Sequence, residues 1–324
     1  MATPRDPRDV SPFRHPPVFS RATPIGLVAL TARTFGLGGQ VLRLLARKLM
    51  DAERYRAIFA RYPVGPEDVF VSVFSKSGTN WAMQMVVQLA WEGRGEFAHI
   101  HEVVPWPGAP FSGIASLGDD GWRAAPHPRH AIKTNAPLRV LPLDSPARFL
   151  TVLRDPKEVV VSAFHFLRGV FGLQEEISAE TFLAFALNGP FLAGWADSAA
   201  CAWAERERPN VLVLRFDELK ADLPGSLERV ASFLDVPLSD ETRAVVVERC
   251  GFAWMKEHEY QFGPPLLPFR GDRPTAQMLR RGVTGDPGEL LSPEIQARID
   301  DAARAALAEL GSDLPYAEWF TTDA

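Results

Sequence analysis

Val69-Phe70-Val71-Ser72-Val73-Phe74-Ser75-Lys76-Ser77-Gly78-Thr79-Asn80-Trp81 is the stretch that decides the fold. Its first half, Val69–Phe74, is β-branched and aromatic, as a strand requires. Its second half is a small polar turn carrying one lysine, hydroxyls and a glycine. A helical pattern follows, from Thr79 to Trp91. Such a connection points backbone N–H groups, a helix N-terminus and a cation at one spot, which suits a phosphate or a sulfate. The lysine stands out because only six of the 35 basic residues in the chain are lysines. The G-x-x-x-x-G-K-[ST] pattern of nucleotide triphosphatases is absent, which disfavours a kinase-like enzyme. A plain strand–turn–helix connection also fits this stretch, so the weight falls on what surrounds it.

Working outward, three more β-rich runs follow: Ala131–Thr134, Arg148–Leu153 and Val211–Phe216. Helical patterns separate them at Pro156–Arg168 and Trp195–Arg206, with Gly225–Leu234 after the last run. An amphipathic stretch, Pro293–Leu310, stops at Gly311. Strands alternating with helices imply an α/β fold, here a P-loop-like parallel β-sheet flanked by helices on both faces. Ligands of such sheets sit beyond the carboxyl ends of the strands. Three candidate sites fall there: the Lys76 turn, Lys133-Thr134-Asn135, and Arg154-Asp155-Pro156. The last opens a helix with proline at its first position, and Ser162 lies about two turns in. The Pro- and Gly-rich runs Pro105–Pro128 and Gly263–Pro274 read as long loops, the second leading to the basic cluster Arg280-Arg281-Gly282.

A formal net charge of -5 argues against a nucleic-acid binder. The two cysteines, Cys201 and Cys250, have no metal or C-x-x-C spacing, and the seven histidines contain no H-E-x-x-H, so no metal site is expected and a cytoplasmic setting fits. Residues 1–24, rich in Pro, Arg and Asp, read as a flexible leader. Residues 25–54 read as a helical segment in which Arg33, Arg43, Arg47 and Lys48 interrupt any membrane span. Val41, Leu42, Leu44, Leu45 and Leu49 roughly share a face, either packed on the domain or resting on an anionic membrane surface. Residues 55–312 form the main domain, and 313–324 a C-terminal tail.

These pieces together resemble the cytosolic-type sulfotransferases that use PAPS (3′-phosphoadenosine 5′-phosphosulfate). The family pattern Y-P-K-S-G-T-T-W is similar to Phe74-Ser75-Lys76-Ser77-Gly78-Thr79-Asn80-Trp81. Its 3′-phosphate segment is matched by Arg154-Asp155-Pro156 with Ser162 and Phe164-His165-Phe166, and its R-K-G-x-x-G-D by Arg280-Arg281-Gly282-Val283-Thr284-Gly285-Asp286. Phe252 and Met255 fit F-x-x-M, and Phe216-Asp217-Glu218-Leu219-Lys220 resembles Y-E-D-L-K. The resemblance implies that Lys76, Ser77, Gly78, Thr79 and Asn80 hold the 5′-phosphosulfate, and that Trp81 and Phe252 flank adenine with Phe216 nearby. It also implies that Arg154, Ser162, Arg280, Arg281 and Gly282 bind the 3′-phosphate. Guanidinium with hydroxyl and backbone donors is the chemistry a terminal phosphate calls for.

The departures bear on catalysis. Asn80 replaces a threonine, Phe216 a tyrosine and Pro287 a tryptophan. Where the family has K-T-H-L-P, with histidine as general base, this chain has Lys133-Thr134-Asn135-Ala136-Pro137. An amide takes no proton at neutral pH. Lys76 and Lys133 could stabilise charge on the leaving group without a base. His101, in the segment matching the family's acceptor-side loop, is the first candidate for a substitute base; a structural hydrogen bond is its other reading. The resemblance therefore implies sulfuryl transfer from PAPS, leaving PAP (3′-phosphoadenosine 5′-phosphate), to a hydroxyl or amine of a small, largely apolar acceptor. A PAPS/PAP-binding pseudoenzyme is the alternative.

Overall fold

The computed structural model describes residues 52–109, 114–171, 177–263, 278–279 and 287–321. The leader, most of the 25–54 segment with its membrane-facing reading, and Arg280, Arg281 and Gly282 lie outside the described residues. The chain enters through α1 (Ala52–Phe59). It then forms β1 (Asp68–Ser72), α2 (Thr79–Ala90), β2 (His130–Thr134) and β3 (Arg148–Leu153). Helices α3 (Pro156–Phe171), α4 (Ala179–Asn188) and α5 (Pro190–Ala204) lead to β4 (Val211–Arg215). There follow α6 (Phe216–Ala221), α7 (Leu223–Phe233), α8 (Asp240–Cys250), α9 (Phe252–Glu257), α10 (Pro293–Glu309) and α11 (Tyr316–Phe320).

The four strands are parallel in the order β2-β1-β3-β4, with Val71 opposite Lys133 on one side and Leu150 on the other. All five residues of β1 are buried, as expected of a strand covered on both faces. Alternation along the strands divides two cores. Phe70 stacks on Phe149 at 5.1 Å in one, with α1, α3, α4, α5, α10 and α11 supplying the rest. Val69, Val71, Leu150 and Val152 enter the other, beneath α2, α7 and α8. Burying such a side chain is worth about 1.5–3 kcal/mol, so the two faces fix strand register together. Among the described residues, no helix is long and apolar enough to cross a membrane.

Element boundaries differ from the sequence reading where local caps intervene. Helix α5 starts at Pro190, earlier than Trp195, because proline is suited to a first helical turn. Helix α7 starts at Leu223, where Asp222 accepts from the Gly225 N–H. Helices α4 and α8 were not expected, though each carries a serine cap: Ser178 accepts from Thr181 N–H, and Ser239 from Thr242 N–H.

The strand order positions the site. From β1 the chain passes to β2 on one side, then crosses to β3 on the other, so the order reverses around β1 and a crevice opens beyond its carboxyl end. The opposite end is closed by a buried polar cluster. There Asp68 accepts from Tyr62 at 2.9 Å and from His130 Nδ1 at 2.9 Å, with Trp122 stacked on the histidine at 5.1 Å.

Candidate functional site

Four strand ends contribute to the carboxyl edge, and the turn after β1 is its centre. Ser77 N–H donates to Phe74 O at 3.0 Å, closing the turn. Lys76 then takes φ 68° and Gly78 φ 103°, both left-handed. For a lysine this is uncommon and strained; for Gly78 it is what glycine permits, and a Cβ there would stand 3.0 Å from the Phe216 ring. Gly78 caps α2 without a side-chain hydrogen bond to its first turn. The Ser77 hydroxyl is buried and has no hydrogen-bond partner among the described residues. An uncapped helix start, a turn of strained backbone and an unsatisfied buried hydroxyl are the features of an anion cradle.

Asn80 and Trp81 face away from the turn toward the chain's later segments. Asn80 Nδ2 donates to Phe262 O at 3.0 Å, and Trp81 Nε1 to Cys250 O at 2.8 Å. The Trp81 ring meets Phe216 edge-on at 5.6 Å. Phe252 opens α9 two residues after Cys250 and is exposed by 39%. Thr79 begins α2, and Ser162 sits half-buried in α3.

Arg154 follows β3 and reaches across to the turn. Its Nη1 donates to Lys76 O at 2.9 Å, its Nε pairs with Glu158 at 2.9 Å, and its guanidinium lies over the Phe216 ring at 4.1 Å. The Arg154 carbonyl accepts from Trp195 Nε1 at 3.0 Å. Behind it, Lys157 ties the first turn of α3 to Asp300 at 2.6 Å and to Phe320 O at 2.7 Å.

The Lys76 amine rests on the Phe166 face at 3.9 Å and 3.5 Å from Met278 Sδ. Desolvation, with the Arg154 charge added, lowers its pKa to about 7. Lys133 reaches the same edge from β2. Its amine lies 3.5 Å from the Trp106 ring centre and 3.5 Å from His101 Nε2. Desolvation and the Lys76 charge bring it to about 7 as well. Neither lysine has a carboxylate within ion-pair distance among the described residues. The residues keep some exposed surface, yet rings and sulfur surround the two amines.

His101 is buried in a tight turn, Ile100–Glu102. Its Nδ1 donates to Val104 O at 2.8 Å, and its own N–H donates to His99 Nδ1 at 3.1 Å. His99 Nε2 in turn donates to Gly263 O at 2.8 Å. These contacts fix both tautomers. Burial pushes His101 well below its usual pKa and His99 down to about 4, so both rings are neutral. Asn135, just past β2, donates from Nδ2 to Val73 O at 3.1 Å, fastening the end of β2 to that of β1.

The structure thus gathers Lys76, Ser77, Gly78, Arg154 and Phe216 around one turn, with Lys133, His101 and Asn135 beside it. Glu158 and Trp195 were missed as contributors, while Phe166 and Trp106 stood inside matched segments without a role of their own. Glu158 had a signal, since it stands four residues after Arg154 at helical spacing. Trp106 and Trp195 act across long sequence separations that periodicity does not report.

Known proteins bear on this arrangement. Residues 66–311 match the family model described as sulfotransferase domain. The human Sulfotransferase 2A1 is 27% identical over 72% of this chain and 82% of its own length. The mouse Sulfotransferase 1B1 is 29% identical over 68% of this chain and 76% of its own length. Among solved structures, retinol dehydratase in a complex with retinol and PAP superposes with a TM-score of 0.64 at 21% identity, covering 82% of this chain and 88% of that one. The same enzyme has also been solved with androsterone and PAP.

Proposed function

Because the chain belongs to the sulfotransferase domain family, we propose that it transfers a sulfuryl group from PAPS to a hydroxyl or amine of a small, largely apolar acceptor. The observation that carries this reading is the turn after β1, with its left-handed Lys76 and Gly78, its unsatisfied Ser77 hydroxyl and Arg154 braced on its carbonyl. That donor set fits an anionic nucleotide. Lys76, Ser77 and the N–H groups of Gly78, Thr79 and Asn80 would hold the 5′-phosphosulfate. Arg154 and Ser162, with Arg280 and Arg281, would hold the 3′-phosphate, and Trp81, Phe216 and Phe252 the adenine side. PAPS supplies an activated sulfuryl group on a phosphate leaving group. By analogy with phosphoryl transfer, the chain's part is alignment and charge stabilisation. The two amines, unpaired with carboxylates among the described residues, are suited to a site that receives several negative charges.

The acceptor side is lined by Trp106, His101 and Lys133, and neutral rings there favour an apolar molecule presenting one polar group. Related folds are solved with retinol and androsterone, which are molecules of that kind. A second reading, a PAPS/PAP-binding pseudoenzyme, is favoured by Asn135, whose amide is engaged on Val73 O in place of the family's base. Two measurements test the proposal. PAP should raise the melting temperature of the folded protein. Mass spectrometry of PAPS with retinol, androsterone, 4-nitrophenol and an aliphatic amine should show at least one sulfated product. No thermal shift at millimolar PAP removes the nucleotide site. A shift without any product leaves the binding-only reading.

A further inference from the structure

Within the sulfuryl-transfer reading, on which this rests, we propose that Lys133 takes the proton from the acceptor and that His101 is the positioning residue that aims its amine. Asn135 stands where the family has its base, but an amide has no basic lone pair, and its N–H₂ is committed to Val73 O. His101 has a lone pair, and the fold has aimed it. With Nδ1–H held by Val104 O, the Nε2 lone pair faces the Lys133 amine at 3.5 Å. His101 is only 4% exposed, whereas Lys133 keeps intermediate exposure at the carboxyl edge. His101 can accept one N–H of a neutral lysine. The amine's own lone pair is then turned away from His101, toward the crevice. A contact of this length is weak in the ligand-free protein, as catalytic hydrogen bonds often are before substrate tightens them.

The surroundings keep the amine within reach of neutrality. It faces the Trp106 ring and His101 from the acceptor-side loop, with His99 behind, and Lys76 from the turn after β1; Tyr55 of α1 lies beside Trp106 and Thr134. None of these is an anion near neutral pH. A pKa of about 7 is suited to a general base. The Trp106 face and a bound nucleotide favour the ammonium, so the working pKa moves upward from there. In the step, the acceptor oxygen bonds to sulfur as its O–H bond breaks, and the proton passes to the Lys133 lone pair. The bond from sulfur to the bridging oxygen breaks with its electrons on that oxygen, releasing PAP. Lys133 returns its proton to solvent after product leaves.

Charge stabilisation and proton removal by the same lysine are separable. Wild type, Lys133→Arg and Lys133→Met are assayed with PAPS on androsterone or retinol, which are weakly acidic alcohols, and on 4-nitrophenol, between about pH 6 and 9. PAP-induced thermal shift confirms that each variant keeps its fold and nucleotide site. If Lys133 is the base, arginine fails as methionine does. Both variants lose about 10²–10⁴-fold in kcat on the alcohol, lose the rise of kcat with pH, and lose less on the phenol. If Lys133→Arg retains wild-type kcat and pH profile, the lysine acts by charge alone and the proposal is overturned. For His101, Leu should lower kcat on the alcohol without changing KM, and Gln, which still accepts an N–H, should recover much of it. Equal behaviour of His101→Leu and His101→Gln removes the positioning role. PAP binding with no acceptor turned over would overturn the transfer reading itself, and the base with it. Turnover with an active Lys133→Arg overturns only the present inference.

Discussion

The ends of β1 and β3 and the end of β2 lie side by side, but they are built on opposite plans. Around Arg154, charged and polar groups are fastened to backbone: Nη1 to Lys76 O, the Arg154 carbonyl to Trp195, and Lys157 to the C-terminal helix. Around Lys133, the partners are a tryptophan face and two histidines kept neutral by burial. The first plan holds positive charge in fixed positions, which suits a ligand whose anions are always present. The second plan holds groups close to uncharged, which suits a proton that must move. Lysine sits at both: the Lys76 carbonyl belongs to the fastened frame, whereas its amine, like that of Lys133, lies against an aromatic face and is lowered to about 7 by burial.

Replacing Lys76 tests the turn after β1 most severely. Lys76→Ala should lower kcat about 10²–10³-fold, the usual cost of losing a donor aimed at developing charge. PAP affinity should fall far less, because the cation is worth most in the transition state. Steady-state kinetics alongside PAP titration checks this. Normal kcat with only a raised KM for PAPS would show that Lys76 merely holds the ground state.

Arg154→Ala should weaken PAP by about 1.5–3 kcal/mol, the worth of a hydrogen bond to a charged group, or roughly 10- to 150-fold. AMP, which lacks the 3′-phosphate, should be weakened much less. Calorimetry with both nucleotides checks this. Equal loss for the two would mean that Arg154 acts by bracing the Lys76 turn and does not read the 3′-phosphate.

A pH titration sharpens the comparison from the other side. Burial lowers Lys76 and Lys133 from the ordinary lysine value of 10.5 to about 7. Between those values the unfolded chain holds protons that the fold lacks, so the free protein should gain stability as pH rises from about 7 toward 10.5; the penalty is full below 7 and gone above 10.5. Bound PAP works in the opposite sense by favouring both ammonium forms. PAP should therefore bind with proton uptake, and its affinity should fall as pH rises above about 7. Calorimetry in buffers of different ionisation enthalpy measures the protons taken up. A pH-independent affinity across that range would show that neither lysine is neutral in the free protein.

Much of the turn after β1 was legible in the sequence because it is local. A strand, a turn and a helix start are contiguous from Val69 to Trp81, and Arg154 announces itself at the mouth of a helix beginning with proline. The all-parallel sheet followed from the alternation of β-rich and helical runs. The strand order did not, since it depends on which side each crossover takes. The surroundings of the β2 end were legible only as a list of residues. That His101 is turned toward Lys133 depends on a tautomer set by Val104 O, and the Lys133 environment depends on Trp106, which lies 27 positions earlier. Helices α4 and α8 escaped because packing, not a regular apolar stripe, holds them, although their serine caps were in plain view.

The smallest expected effect is at Asn135, and it decides between the two plans most directly. The Asn135 amide contributes one hydrogen bond between strand ends, so Asn135→Ala should cost about 0.5–1.5 kcal/mol of stability and leave PAP binding intact. Asn135→His places an imidazole whose Nδ1–H can take over Val73 O and whose Nε2 then presents a lone pair. If Lys133 already removes the proton, that second base is nearly redundant. The gain on androsterone or retinol should stay below about tenfold, against the 10²–10⁴ that a missing base would return. 4-Nitrophenol, which ionises readily, should show no gain. The double variant Lys133→Met, Asn135→His should recover part of the alcohol activity that Lys133→Met loses, because the histidine restores a base at the end of β2. A large gain from Asn135→His in the wild-type background would mean that the β2 end has no working base, and that the neutral company of Lys133 serves some purpose other than moving a proton.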